Sequence, residues 1–433
     1  VPASTAAVAP RRSVRTVAFA SFIGTTIEWY DFFLYGTAAA LVFNRLFFPD
    51  FDPLTGTLLA FSTYAIGFVA RPLGGIIVGH YGDKIGRKSM LVLTLMIMGV
   101  ATFLIGLVPT YDQIGIWAAG FLVLLRVAQG FGVGGEWGGA VLMAVEHAPP
   151  GKRGFYGSWP QIGVPAGLVL STAVFSLFRS LPEDQFFSWG WRVPFLLSIV
   201  LVAVGLVIRL RILETPAFER VKETGSEARM PILEVLRTHP REVLLAGGAR
   251  VAENGSFYIY SAFTLVYARQ RGFADQTVLN AILFASILEL FAIPFFGALS
   301  DRLGRRPVYL FGAVVTGLLA YPLFWAFDAG STTLVWVALA VAFVFSHAAM
   351  YAPQAAFLSE LFGARVRYSG ASLGAQLAAV VAGGLAPFIG TAILRNGYGR
   401  GVLALYVIGM ALITIAAVLA ASETSKGDAV DRL

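Results

Sequence analysis

The chain reads as apolar runs cut by short polar breaks. A helix needs about 20 mostly apolar residues to cross a bilayer. Twelve runs meet that length, roughly 17–43, 56–79, 89–108, 114–145, 155–178, 191–210, 242–268, 277–299, 307–327, 332–358, 368–394 and 400–421. Turn and charge signals mark the breaks at Asn44–Pro53, His80–Lys88, Pro109–Gln113, Pro149–Gly154 and Leu181–Gly190. No stretch shows the alternating ten-residue pattern of a transmembrane β-strand. The pattern predicts an all-α membrane protein of twelve transmembrane helices. The longest polar stretch, about 211–241, divides them six and six. This gives a tail at 1–16, a bundle at 17–210, a linker at 211–241, a bundle at 242–421 and a tail at 422–433.

Composition agrees with the pattern. Of 433 residues, 57% are apolar and 13% charged, against about 45–50% and about 25% in soluble domains. The mean hydropathy is +0.74. A water-soluble core and a disordered chain are both excluded. Cysteine is absent, so disulfides, thiolate metal sites and cysteine nucleophiles are excluded too. His80, His147 and His239 fall in loops without ligand spacing, and no metal or other cofactor is expected. Arg11, Arg12 and Arg15 before the first run imitate a signal peptide. That run lacks a cleavage site and continues too far, so it reads as a retained helix.

The net charge of +7 raises the question of nucleic acid. Its distribution answers it. With the N-terminus placed in the cytoplasm, 22 of the 32 Lys and Arg fall in cytoplasmic segments, 7 at the external side, and Arg71, Arg126 and Arg250 inside helices. This is the positive-inside bias, with both termini cytoplasmic. No nucleic-acid partner is expected.

An internal repeat supports two related halves. GDKIGRK at Gly82–Lys88 recurs as SDRLGRR at Ser300–Arg306, with Asp83 and Asp301 218 positions apart. Glu146 with RGFYGS at Arg153–Ser158 is echoed by Glu360 with RYSGAS at Arg367–Ser372. Each aspartate can cap the following helix or pair with an arginine across the seam between halves. The paired loops resemble the signature loop of the major facilitator superfamily. That resemblance implies the major facilitator fold, two pseudo-symmetric six-helix bundles. It also implies gating, with Asp83, Arg87, Asp301 and Arg305 as a cytoplasmic latch. Arg126 is grouped with these gating residues.

Charges at membrane depth are costly and mark function by default. In the first run Glu28 and Asp31 lie three residues apart and share a face with Tyr35. In the second, Arg71 needs an anion, either a carboxylate side chain such as Asp31 or Glu136, or a substrate carboxylate. In the fourth, six of the ten residues Gly130–Gly139 are glycine, which points to a tight helix crossing. Arg126 and Glu136 there are about 15 Å apart along a helix and need separate partners. Arg250 and Glu253 in the seventh run are spaced to pair within one turn, beside Asn254 and Tyr258. His347 and Gln354 share a face in the tenth run. Trp159 and Gln161 are weaker candidates, and Glu289 in the eighth run looks isolated.

YDFFLYGTAAALVFNRLFFP, GFVARPLGG, GHYGDKIGRKSML, QGFGVGGEWGGA, SWGWRVPFLLS, ENGSFYIY and ELFGARVRYSGAS occur in this order along residues 17–421. Together they resemble the metabolite:proton symporter family, whose members carry shikimate, 2-oxoglutarate, citrate, proline, betaine and related metabolites. Within that family the chain resembles the shikimate carriers. The resemblance implies a monomeric, non-enzymatic symporter in a prokaryotic inner (plasma) membrane, taking up a small organic acid with protons. A shikimate-like ring carboxylate is the first expectation. A 2-oxoglutarate, citrate, proline or betaine symporter is the alternative, as is a proton-independent facilitator or exporter. Arg71 and Arg250 would meet the carboxylate, with Gln161, Asn254, Tyr258, His347 and Gln354 as polar contacts. Trp159 and Tyr35 would wall the site. Asp31, Glu136, Glu28 and Glu253 are the proton-coupling candidates. The short run after the last span departs from the osmosensing proline/betaine members, which carry a long coiled-coil tail.

Overall fold

The computed structural model describes residues 14–85, 87–134, 141, 144–145, 148–149, 151–211, 231–362 and 367–425. Glu136 lies outside them, and so do the Asp83 and Arg87 side chains. The first half comprises α1 (Val14–Leu41), α2 (Pro53–Ile85), α3 (Arg87–Leu107), α4 (Trp117–Val133), α5 (Arg153–Arg179) and α6 (Ser198–Arg211). In the second, α7 (Pro240–Tyr258) passes through a π-turn at Ile259–Phe263 into Thr264–Gln270. Then come α8 (Asp275–Leu303), α9 (Arg305–Asp328) and α10 (Thr332–Glu360). α11 (Arg367–Ala378) continues through a π-turn at Ala379–Gly384 into Ala386–Arg395, and α12 is Arg400–Ala420. There is no strand among the described residues.

The fold is the twelve-helix bundle expected. Eight of the described helices are long and apolar enough to cross a membrane. Trp117, Leu244, Phe291 and Leu318 are each more than 70% exposed. Water would penalise such a surface and lipid tails would not. Several boundaries differ from the sequence reading: α2 runs on to Ile85 through the break at His80–Lys88, and a helix at Pro231–Thr238 occupies part of the 211–241 linker. The break at Leu181–Gly190 is largely helical, with turns at Glu183–Gln185 and Phe186–Gly190 leading through Arg192–Leu196 into α6. Glu183 and Asp184 sit in its first turn, where the helix dipole favours acidic groups.

Glycine sets the α2–α4 crossing. A Cβ on Gly130 would stand 1.9 Å from the Gly67 carbonyl oxygen, and one on Gly134 1.9 Å from that of Arg71. The two backbones touch, which carries Arg71 close to the bundle axis. Overpacking of this kind costs about 1–3 kcal/mol. Gly130→Ala should therefore lower the thermal unfolding midpoint measurably. Gly120→Ala, on the same helix with nothing within 4 Å, should not. Equal midpoints for the two variants would refute the contact.

The halves meet at both ends of the bundle. At one end the Asp301 carboxylate accepts from the Gly154 and Phe155 N–H groups at 2.7 and 2.9 Å, capping α5 of the opposite half. Arg305 holds Asp301 at 2.7 Å and Glu360 at 3.3 Å. The chain breaks between α8 and α9 at Gly304, whose φ of 106° favours glycine. Glu423 then caps α9, accepting from the Arg305 and Arg306 N–H groups at 2.9 and 3.0 Å. Burial alone would push the Glu423 carboxyl up, but backbone N–H groups of Ser425, Arg305 and Arg306 hold it below the usual carboxylate range. At the opposite end Asp275 of α8 pairs with Arg179 of α5 at 2.9 Å and with Arg269 at 2.6 Å. Arg269 also donates to the Leu41 carbonyl at 3.2 Å, at the C-terminus of α1.

Candidate substrate site between the halves

Between these two seals lies a cavity of about 40 Å³, walled in part by Glu28, Trp29, Arg71, Gln161, Arg250, Asn254 and Gln376. It has room for about three waters. Arg71 is 4% exposed. Its guanidinium lies 4.2 and 4.3 Å from the ring centroids of Phe32 and Phe68, and 5.5 Å from that of Trp29. Ring faces attract the cation but accept no N–H hydrogen bond of ordinary strength. Nε and Nη2 of Arg71 are buried without a hydrogen-bond partner. Pro72 directly follows within α2 and removes a backbone donor there.

Asp31 is fully buried, and neither carboxylate oxygen has a hydrogen-bond partner. The pair Arg71–Asp31 is thus not formed. Glu28 reaches the cavity and Asp31 does not, although three residues separate them. The Thr102 hydroxyl stands beside Asp31 and accepts from Gln129 at 2.7 Å, while Arg126 donates to Gln129 at 3.0 Å. Arg126 is boxed by Phe32 at 4.2 Å and by Tyr35 and Tyr64 at 4.5 Å. Tyr35 bonds the Thr63 hydroxyl at 2.6 Å, so it encloses Arg126 and stands off the cavity. Arg126 sits deep in the bundle and not in the seal at Asp301. Trp159 packs edge-on against Phe155, next to the cavity residues Pro160 and Gln161.

In the second half Arg250 faces the cavity and backs onto Glu253 at 3.2 Å. Glu253 also accepts from Gln354 at 2.8 Å and lies 3.3 Å from Nε2 of His347. Nδ1 of His347 bonds Glu289. Glu289 is therefore not isolated, which corrects the sequence reading. His347 and Gln354 stand behind Arg250, off the cavity wall. Tyr258 packs on Phe32, Tyr64 and Phe68 with ring centroids 5.2–6.0 Å away. The π-turn at Ala342–His347 ends on the histidine itself. The aromatic box and Glu289 escaped sequence reasoning. Aromatic residues in an apolar run carry no signal of which cation they meet, and Glu289 meets His347 from 58 positions away.

A membrane-embedded bundle of two six-helix halves, with a cavity between them that has Arg71 and Arg250 in its wall, is the architecture of a secondary transporter. The chain belongs to the major facilitator superfamily, whose family model matches residues 21–373 and again 254–431. It is similar to the shikimate transporter of Escherichia coli K12, 44% identical over 95% of each chain. It is also similar to the inner membrane metabolite transport protein YhjE of the same strain, 40% identical over 96% of each. The proline/betaine transporter of that strain is 33% identical over 95% of this chain and 84% of its own length. Among solved structures, the partially occluded inward-open xylose transporter XylE from E. coli shares the fold. Its TM-score is 0.73 at 17% identity, covering 96% of this chain and 99% of that one. The chain is a multi-pass membrane transporter and not an enzyme.

Proposed function

We propose that this transporter imports a small organic acid, a shikimate-like ring carboxylate before others, together with protons. The observation that carries the reading is Arg71, a cation in the cavity wall with two buried nitrogens, Nε and Nη2, unpartnered. A carboxylate is the chemistry that satisfies such a fork. Arg250 is the second cation in the wall, Gln161 and Asn254 offer hydroxyl partners, and Trp29 offers a ring face. The similarity to the shikimate transporter favours a hydroxylated ring acid. Asp31, Glu28 and Glu253 are the carboxylates placed to couple protons. The cavity is too small for such a ring until the halves part. Asp301 and Asp275 then act as the two latches of alternating access, Asp301 with Arg305 on the cytoplasmic side.

The test is uptake into proteoliposomes of shikimate, protocatechuate, 2-oxoglutarate, citrate, proline and betaine, with and without an imposed proton gradient. Shikimate or protocatechuate should accumulate only with the gradient and lose accumulation on adding an uncoupler. Uptake indifferent to the gradient would make the protein a facilitator. Uptake confined to proline or betaine would overturn the acid.

A further inference from the structure

The second half carries a buried ionisable cluster that stands behind the wall of the cavity between the halves. Glu253, Glu289 and His347 are 2%, 0% and 1% exposed. The imidazole lies between the two carboxylates, with Glu289 at Nδ1 and Glu253 at Nε2, and its faces are closed by Phe257 and Tyr351 at 4.2 and 4.9 Å. The charged and titratable groups around it are Glu253, Arg250 and Tyr258 from α7, Glu289 from α8 and Tyr351 of α10 itself. Tyr309 of α9 joins through Gln354. Among the described residues, two carboxylates thus face a single permanent cation, Arg250. In a low-dielectric interior an unbalanced charge is expensive. One proton on the triad balances the account.

We propose that Glu289–His347–Glu253 is a proton-binding site coupled to the substrate through Arg250. Arg250 has two faces, one on the cavity and one on Glu253 at 3.2 Å. A substrate carboxylate drawn to Arg250 adds one negative charge and weakens the hold of Arg250 on Glu253. The cluster restores balance by taking a proton from the cavity. Anion and proton therefore each raise the affinity for the other. When the halves reopen on the far side, departure of the anion returns Arg250 to Glu253 and expels the proton. Glu289 has one oxygen bonded to the imidazole and one buried without a partner. It anchors the site at the end remote from the cavity.

The inference rests on the symport reading, and one assay separates the two. The proton:substrate ratio is measured from reversal potentials in proteoliposomes, with shikimate as probe, for the wild type and Glu289→Gln. The variant should carry one proton fewer per substrate while keeping substrate counterflow. An unchanged ratio beside a proton-coupled wild type overturns this site alone. A wild type that moves no protons overturns symport and this site together. Should Glu289→Gln fail to fold, His347→Gln takes its place in the same assay. On the wild type, ring-labelled histidine should change its infrared difference spectrum when shikimate binds. A silent imidazole counts against the site.

Discussion

Arg71→Gln should abolish organic-acid uptake and weaken binding of the transported acid about 100-fold or more. Glutamine keeps a polar but shorter side chain and loses the charge and the two-pronged fork. Leaving a desolvated carboxylate opposite a neutral group costs about 2–5 kcal/mol, and every 1.4 kcal/mol is about tenfold in affinity. The protein itself should tolerate the change. Arg71 forms no ion pair with Asp31, and its Nε and Nη2 already lack partners. Removing it therefore strands no carboxylate there. Arg71→Lys should fall between wild type and Arg71→Gln, because an ammonium keeps the charge and loses the planar fork. Isothermal titration and thermal shift with the same acid read both variants. Binding unchanged in Arg71→Gln would remove Arg71 from the site and leave Arg250 as the anchoring cation.

Much of this site was legible before the structure, and the remainder had a physical reason to stay hidden. Arg71, Arg126 and Arg250 stand out because a cation inside an apolar run cannot be there by default. Arg250 and Glu253 pair because i,i+3 spacing is a local property of a helix. Gly130 and Gly134 announce a close crossing because no other residue permits one. Partners brought from distant helices are not encoded in spacing. Nothing near Asp301 in sequence points to the α5 N-terminus 147 positions away. Nothing in helix periodicity separates Glu28, on the cavity wall, from Asp31, which faces Thr102. Three residues turn a helix by about 300°, so two side chains on one broad face still diverge by about 60°. That angle is enough to put one on the cavity wall and the other behind it. The same divergence leaves Tyr35 over Arg126.

Asp31→Asn should preserve substrate exchange and sharply reduce gradient-driven accumulation. The argument is about what sits behind the cavity wall. Asp31 is fully buried with both oxygens unpartnered, and an unpaired charge in that setting costs several kcal/mol unless a proton or counter-ion joins it. Thr102, beside Asp31, accepts from Gln129, and Gln129 in turn accepts from Arg126. Arg126 is held in a box of Phe32, Tyr35 and Tyr64. Phe32 is shared, since the same ring faces Arg71 at 4.2 Å. A substrate that moves Arg71 must therefore move Phe32, and with it one wall of the Arg126 box. Asp31 and Arg126 can then be brought together or kept apart according to whether Arg71 is occupied. Asparagine freezes the neutral member of that equilibrium. Exchange of labelled for unlabelled substrate needs no net proton movement and survives, while accumulation against a gradient falls to what the proton of the Glu289–His347–Glu253 site alone can drive. Accumulation intact in Asp31→Asn would exclude Asp31 as the obligatory carrier. Phe32→Ala supplies the second arm. If the shared ring is the link, this variant should loosen the coupling and allow proton leak without substrate. A tightly coupled Phe32→Ala transporter would place the communication elsewhere.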